Sequence, residues 1–346
     1  MSKTRNPNLD VIRCLAVLLV IVIHFFLNTK FYDVTINSWQ LEIMVGMRTI
    51  CMICVPLFMC LTGYLMHEKE LSWEFYHKLW PTLSVYLQSS ALIYLARIGI
   101  FRERLSLADG VLGIFSYSTA PYAWYVEMYI GLYLLIPFLN MIWQGCQTRG
   151  QHQLLVATFV ILCILPTFLN IFGKMIPDYW VTLYPLAYYF SGAYIHTYET
   201  EVTQIPLRLV TLMIVLLSVM HNLNASAGRI FQWLPMNDFG SSEIYALTIV
   251  IFVGILKARL PKTIGDIAKY IAPYTFAMYL VSYIGDQLIY PIFMNWFKTE
   301  SAMLAWMAVP ILLIFIGSLL LAIAQKLFWQ LLRVCLDKFW QKYQVL

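Results

Sequence analysis

Long apolar runs separated by short polar connections dominate this 346-residue chain. The runs at 15–23, 209–219 and 311–323 lack the apolar–polar alternation of a membrane β-strand. A helix needs about 20 apolar residues to cross a bilayer. The pattern therefore predicts an all-α polytopic membrane protein with about ten transmembrane helices around a polar channel. The expected spans are 10–30, 43–66, 79–100, 123–145, 153–172, 179–197, 205–222, 241–257, 270–296 and 302–325.

The composition agrees with a lipid environment, because 61% of the residues are hydrophobic and only 12% are charged. A soluble domain carries about a quarter charged residues. The net charge of +5 comes from basic residues in short connections, which is typical of membrane topology and predicts no nucleic-acid partner. We expect one membrane-embedded domain over 1–346. Within it, 325–346 forms either an interfacial amphipathic helix or an extension of the last span.

The distribution of Lys and Arg predicts the orientation. With the amino terminus in the cytoplasm, fourteen of these residues fall in cytoplasmic segments and six fall on the other side. This excess follows the positive-inside rule, and an even number of spans then places both termini in the cytoplasm. Pro273 and Pro291 interrupt the ninth span, so that helix is expected to kink or to start late.

The first span carries an arginine and a histidine, Arg13 and His24, within an otherwise apolar helix. Eleven residues turn an α-helix by about 1100°, roughly 20° past three turns, and advance it by about 16 Å. The two side chains therefore share one face, close to Asp10 and Asn28. Ionisable groups inside a bilayer usually face a bundle interior or a wet cavity, where they are functional.

Two interpretations of this stripe remain open from the residues alone. Arg13 could snorkel to the headgroups or pair with Asp10, and His24 could hydrogen-bond a neighbouring helix. Alternatively, Arg13 meets an anionic group that arrives from the cytoplasm, and His24 serves as a deeper proton acceptor. Because both groups lie on one face, we favour the functional interpretation.

Segment 9–13 (Leu-Asp-Val-Ile-Arg), followed by His24, resembles the opening of the acyltransferase 3 family of membrane O-acyltransferases. Further segments are similar to later helices of that family, in the same order, so that the resemblance covers nearly the whole chain. These segments are 55–58, 62–65, 124–125, 131–137, 188–192 and 276–280. The branch is similar both to standalone glycan O-acetyltransferases and to the membrane part of serine racemases.

The resemblance implies a reaction and a set of partners. The enzyme would transfer an acetyl or other acyl group from cytosolic acyl-CoA to a hydroxyl of an extracytoplasmic glycan, polysaccharide or cell-envelope polymer. It would lie in a bacterial cytoplasmic membrane. Acetyl-CoA would be a donor substrate, with no permanently bound cofactor. Arg13 would contact the donor, and His24 would be the general base or an acyl relay. Apart from the resemblance, Asp10 and Lys78 are further candidates on the donor side, although for Lys78 we favour a plain positive-inside anchor.

Other residues are candidates on the acceptor side. Arg48 and Glu127 lie in the outer halves of their spans and could form a buried ion pair. Trp124 could stack on a sugar, Ser282 stands where many family members have a histidine, and Asp286 could line the outer mouth. No His-Glu-x-x-His motif occurs, so no metal is expected. The alternative function is a transporter of a small solute such as an amino acid, which a buried polar stripe also fits.

Overall fold

A computed structural model describes residues 5–343, apart from the side chains of 172 and 335–343. Within these residues the fold is helical, and the only extended pairings are two isolated bridges, Thr35 with Ile230 and Ile36 with Ala227. The α-helices are α1 Pro7–Asn28, α2 Trp39–Cys51, α3 Cys54–Met66, α4 Trp73–His77, α5 Trp80–Gly99, α6 Leu107–Phe115, α7 Trp124–Gly145, α8 Arg149–Cys163, α9 Pro166–Leu169, α10 Tyr184–Thr197, α11 Glu199–Gln204, α12 Leu207–Ser226, α13 Ser242–Leu256, α14 Lys262–Ile271, α15 Thr275–Trp296, α16 Glu300–Trp306 and α17 Ala308–Tyr343.

The all-α membrane fold is confirmed, and each expected span contains helix. Seven helical stretches in the described part of the chain are long and apolar enough to cross a membrane: Pro7–Asn28, Trp39–Met66, Trp124–Gly145, Arg149–Leu169, Leu207–Ser226, Pro235–Leu256 and Ala308–Val334. The other three expected spans correspond to α5, α10 and α15. Helix α10 has 14 residues, about 21 Å. It is therefore shorter than the roughly 30 Å hydrocarbon core.

Proline explains two irregularities. Helix α15 starts late, as expected, because Pro273 lies in the 3₁₀ turn Ala272–Tyr274 that precedes it. Helices α2 and α3 form one apolar stretch that is interrupted at Met52 and Ile53. Pro56 has no N–H to donate to the carbonyl of Met52, four residues earlier, so the helical hydrogen bonding is broken there.

Hydrogen bonds join several helix ends near the start of α1. We call this end of the bundle the α1-start face. The side chain of Asn8 donates to the carbonyls of Ile255, Leu256 and Ala258, each at 2.9 Å. The side chain of Asn140, near the end of α7, donates to the carbonyls of Met66 and Lys69. Connections that the charge pattern assigns to the cytoplasm therefore meet at one face.

The opposite end of the bundle holds the connections assigned to the outside. The backbone N–H of Ile36 donates to the carbonyl of Arg229, and Ser38 hydrogen-bonds Glu300. Which face is cytoplasmic stays a prediction. Lys3, which the charge count includes, lies outside the described residues, as do the side chains of Lys338 and Lys342.

Helix α17 continues through 325–343 without a break, and 344–346 lie outside the described residues.

Two glycines allow α3 and α10 to touch backbone to backbone. A Cβ atom on Gly63 would lie 1.9 Å from the carbonyl oxygen of Tyr189. A Cβ atom on Gly192 would lie 2.0 Å from the carbonyl oxygen of Cys60. Small residues at helix crossings are typical of membrane bundles. The family-like segments 62–65 and 188–192 thus meet at this crossing.

Candidate functional site

Asp10 and Arg13 form an ion pair at the start of α1. Asp10 is 1% exposed and accepts hydrogen bonds from Arg13 Nη1 at 2.9 Å and from Arg5 Nε at 2.6 Å. The side chain of Arg13 keeps 31% of its surface exposed. Arg13 therefore pairs with Asp10, as one of the two interpretations expected, and still presents its guanidinium to a cavity.

That cavity opens at the α1-start face, and we call it the mouth cavity. Its volume is about 530 Å³. Cationic and anionic side chains both line it, and the cations are Arg5, Arg13 and Lys69. The lining residues are Arg5, Asn6, Leu9, Asp10, Arg13, Tyr64, Leu65, His67, Glu68, Lys69 and His196.

A second cavity, the central cavity, continues into the bundle. Its volume is about 330 Å³, and it shares Arg13 and Leu65 with the mouth cavity. Its wall is mainly apolar, and Tyr125, Tyr129 and Tyr279 contribute to it. Its other lining residues are Val20, Val55, Phe58, Leu61, Thr62, Met66, Thr82, Ala272, Pro273, Thr275 and Phe276. Arg13 thus stands where a charged opening meets an apolar interior.

His24 lies deeper along α1, in a polar cluster between α1, α15 and the residues before α7. Its Nδ1 atom is 3.0 Å from Oδ2 of Asp286, which is 0% exposed. The hydroxyl of Tyr122 donates to the same Oδ2 atom at 2.6 Å. The Tyr122 ring lies against the imidazole, with ring centroids 3.9 Å apart. Among the described residues Nδ1 has no partner with hydrogen-bond geometry, although a carboxylate this close favours the tautomer with the proton on Nδ1 and the free base at Nε2.

Three tyrosines, which we call the tyrosine layer, lie between the central cavity and His24: Tyr122, Tyr125 and Tyr279. Tyr125 and Tyr279 line the cavity and pack edge to face, with centroids 5.8 Å apart. The hydroxyl of Tyr279 donates to the backbone carbonyl of Tyr122. His24 is not among the lining residues of the central cavity. The structure therefore differs from the expected single tunnel, because aromatic side chains fill the space between the two groups.

The two acceptor-side candidates on α15 are buried. Ser282 is 0% exposed, and its hydroxyl donates to the carbonyl of Tyr279 within its own helix at 2.9 Å. Asp286, one turn later, contacts His24 and Tyr122. The expectation that Asp286 lines an outer mouth is therefore wrong, since this face of α15 packs into the bundle.

The proposed ion pair between Arg48 and Glu127 is also wrong. Glu127 is exposed, whereas Arg48 is 0% exposed. The Arg48 guanidinium donates to the carbonyl of Asn237 at 2.6 Å and stacks over the Trp233 ring at 4.6 Å. No ion pair joins Arg48 to Glu127 among residues 5–343. The segment after α12 therefore supplies these partners of Arg48, and the hydroxyl of Tyr32 accepts a further hydrogen bond from Nε at 3.2 Å.

Two further candidates lie apart from both cavities. The indole of Trp124 is 39% exposed and stacks on Phe239, with centroids 5.5 Å apart. Lys78 is exposed and pairs with Glu74 at 2.6 Å, one turn earlier. Neither residue lines the mouth cavity or the central cavity.

Sequence reasoning missed several residues around these sites. The tyrosine layer was not anticipated, and Tyr122 was not recognised as a partner of a carboxylate. His67 and His196 were also missed, although the structure brings them together beside the mouth cavity. They belong to different helices, and no short-range spacing signals that they meet.

The protein is thus a helical membrane protein whose interior holds a histidine–carboxylate pair and an arginine-lined cavity. The sequence profile of the acyltransferase 3 family, described as an acyltransferase domain, matches residues 6–326. The chain therefore belongs to the acyltransferase 3 family and is a membrane acyltransferase. Neither a curated protein nor a solved structure matches the chain significantly.

Proposed function

We propose that this protein transfers an acyl group, such as acetyl, from cytosolic acyl-CoA to a hydroxyl of an extracytoplasmic glycan or other cell-envelope polymer. The observation that carries the proposal is the position of Arg13. It lines both the mouth cavity and the apolar central cavity, and His24 lies deeper on the same helix. A donor with an anionic head and a long arm that can lie in apolar surroundings fits the mouth cavity followed by the central cavity.

The mouth cavity would hold the phosphates of the donor. Its cations, Arg5, Arg13 and Lys69, provide charge for phosphate oxygens, and arginine suits phosphate because its donors form a planar fork. The pantetheine arm would then extend past Arg13 into the central cavity. That cavity is mainly apolar, so it would accept the arm and thioester and would exclude the charged head.

His24 would act as the general base. Nδ1 lies 3.0 Å from Oδ2 of Asp286 without hydrogen-bond alignment, so in this proposal a small rotation of the imidazole directs Nδ1–H to Asp286, and Nε2 removes the proton of the acceptor hydroxyl. The hydroxyl oxygen attacks the thioester carbonyl, the carbon–sulfur bond breaks, and the thiolate takes the proton from His24. Asp286 stabilises the transient imidazolium. The result is an ester on the acceptor and free CoA.

The tyrosine layer must open for the thioester to approach His24. The hydroxyl of Tyr279 hydrogen-bonds the backbone carbonyl of Tyr122, and the Tyr122 ring covers the imidazole of His24. Rotation of the Tyr125 and Tyr279 side chains would extend the central cavity towards His24. In the closed arrangement the layer would keep water from the thioester.

Acetyl-CoA with a labelled acetyl group, supplied to membranes that contain the protein, tests this function. We expect label in the extractable envelope glycan with the wild type, and at least tenfold less with Arg13→Ala or His24→Ala. Arg149→Ala, at an exposed arginine, is the matched control and should retain activity. Unchanged transfer by both site variants would contradict the proposal. Uptake of serine or another small solute without acyl-CoA would instead support a transporter.

A further inference from the structure

Three metal-ligating side chains meet beside the mouth cavity: His67, Glu68 and His196. One ligand atom from each lies within 4.8 Å of the other two. We propose that these residues bind a divalent transition-metal ion, for which Zn²⁺ is the best match. Two imidazole nitrogens and a carboxylate oxygen form a donor set that suits Zn²⁺. Ligands about 2.1 Å from a tetrahedral ion are roughly 3.4 Å apart, so shortening the ligand separations by at most about 1.4 Å completes the geometry.

The packing of α3 against α10 creates this juxtaposition. Gly63 and Gly192 allow the two helices to touch, and His67 and His196 each follow their glycine by four residues. Four residues are about one helical turn, so each histidine lies on the same face as its glycine. The two imidazole rings consequently meet with centroids 4.4 Å apart. The site is thus fixed by rigid helices.

His67 supplies the second observation that points to a ligand. Its side chain is 6% exposed, and its Nδ1 atom has no hydrogen-bond partner within the described part of the chain. A cation coordinated by Nδ1 would give this buried nitrogen the partner that no described residue supplies.

Neighbouring contacts hold the other ligands in position. The Tyr64 ring packs edge to face against His196, with centroids 4.7 Å apart, and its hydroxyl donates to Glu199 at 2.5 Å. The Glu68 carboxylate lies 3.9 Å from Nε2 of His67. Asp10 is engaged by Arg5 and Arg13, so it is not a fourth ligand.

Three protein ligands leave one coordination position open to the mouth cavity. A water molecule or an anionic oxygen, such as a phosphate or carboxylate oxygen, would fill it. Because Arg13 lines the same cavity, a bound anion would meet both a metal ion and a guanidinium. The metal site itself does not depend on the proposed acyl transfer.

Zinc titration of purified, chelator-treated protein in detergent, followed by calorimetry, tests the site without measuring activity. We expect one Zn²⁺ per chain in the wild type and at least tenfold weaker binding in His196→Gln and in Glu68→Gln. His77→Gln is the matched control, because His77 is an exposed histidine that is not part of the cluster. It should bind as the wild type does.

Cobalt provides an independent readout, because tetrahedral Co²⁺ absorbs strongly in the visible region. The spectrum should appear with the wild type and with His77→Gln, and it should be lost in His196→Gln. Glu68→Gln changes an exposed side chain, so its folding should be unaffected. Absence of stoichiometric zinc binding, or wild-type affinity in both ligand variants, would overturn the proposal.

Discussion

The imidazole of His24 and the carboxylate of Asp286 lie 3.0 Å apart and join α1 to α15 inside the bundle. Tyr122 donates a hydrogen bond to the same carboxylate oxygen. The other oxygen, Oδ1, is buried and has no hydrogen-bond partner among residues 5–343. A carboxylate retained in such surroundings is costly, which favours a function for the pair.

Asp286→Asn should lower the rate of acyl transfer by about 10²-fold, at the lower end of what positioned acid–base catalysis contributes. The amide keeps the size of the side chain but removes the charge that orients and stabilises the His24 imidazolium. The measurement is kcat with labelled acetyl-CoA in detergent-solubilised protein. Asp178→Asn, in an exposed connection, is the control. An unchanged kcat in Asp286→Asn would remove Asp286 from the mechanism.

Arg13→Ala should raise the KM for acetyl-CoA by at least tenfold, because it removes the guanidinium shared by the mouth and central cavities. Lys78→Ala should change this KM by less than about twofold, since an exposed ion pair such as Lys78–Glu74 contributes little. Donor-dependent initial rates measure both. An equal rise in the two variants would show that donor binding depends on general surface charge.

Tyr279→Phe should test the tyrosine layer. The variant keeps the ring but removes the hydrogen bond to the carbonyl of Tyr122. We expect the layer to open more easily, so that hydrolysis of acetyl-CoA without acceptor rises several-fold relative to transfer. Release of CoA without acceptor measures this ratio. Tyr270→Phe, at an exposed tyrosine that lines neither cavity, is the control. A ratio equal to that of the wild type would argue against a barrier to water.

The sequence predicted the helical fold well, because apolar runs and prolines act locally. Pro273 placed the start of α15, and Arg13 and His24 could be assigned to one face from their spacing alone. Asp286 was recognised as a candidate, but its partner was not. The contact with His24 depends on how α1 and α15 pack, and helical periodicity does not determine which helix a given face meets.

The same limit explains the error over Arg48, and it explains why the sequence did not predict the α3–α10 crossing. Arg48 was paired with Glu127 because both lie at a similar depth. The structure instead surrounds Arg48 with aromatic rings and a backbone carbonyl from the segment after α12. Likewise, Gly63 and Gly192 lie in the family-like segments, but only the packed helices show that neither position leaves room for a side chain.

Gly63→Ala should destabilise the protein by about 2 kcal/mol or more, because the added carbon would overlap the Tyr189 carbonyl and force two backbones apart. The measurement is thermal unfolding in detergent. Gly131→Ala is the matched control, since a Cβ there meets no atom within 4 Å. Equal melting temperatures for the two variants would contradict the close packing of α3 and α10.

Acyl-CoA bound to the His24→Ala protein, visualised by cryo-electron microscopy, tests the central claim most directly. We expect the donor phosphates in the mouth cavity beside Arg13, the pantetheine arm in the central cavity, and the thioester at the tyrosine layer on the side away from Asp286. Donor density outside these cavities, or a thioester that points away from α1, would contradict the account.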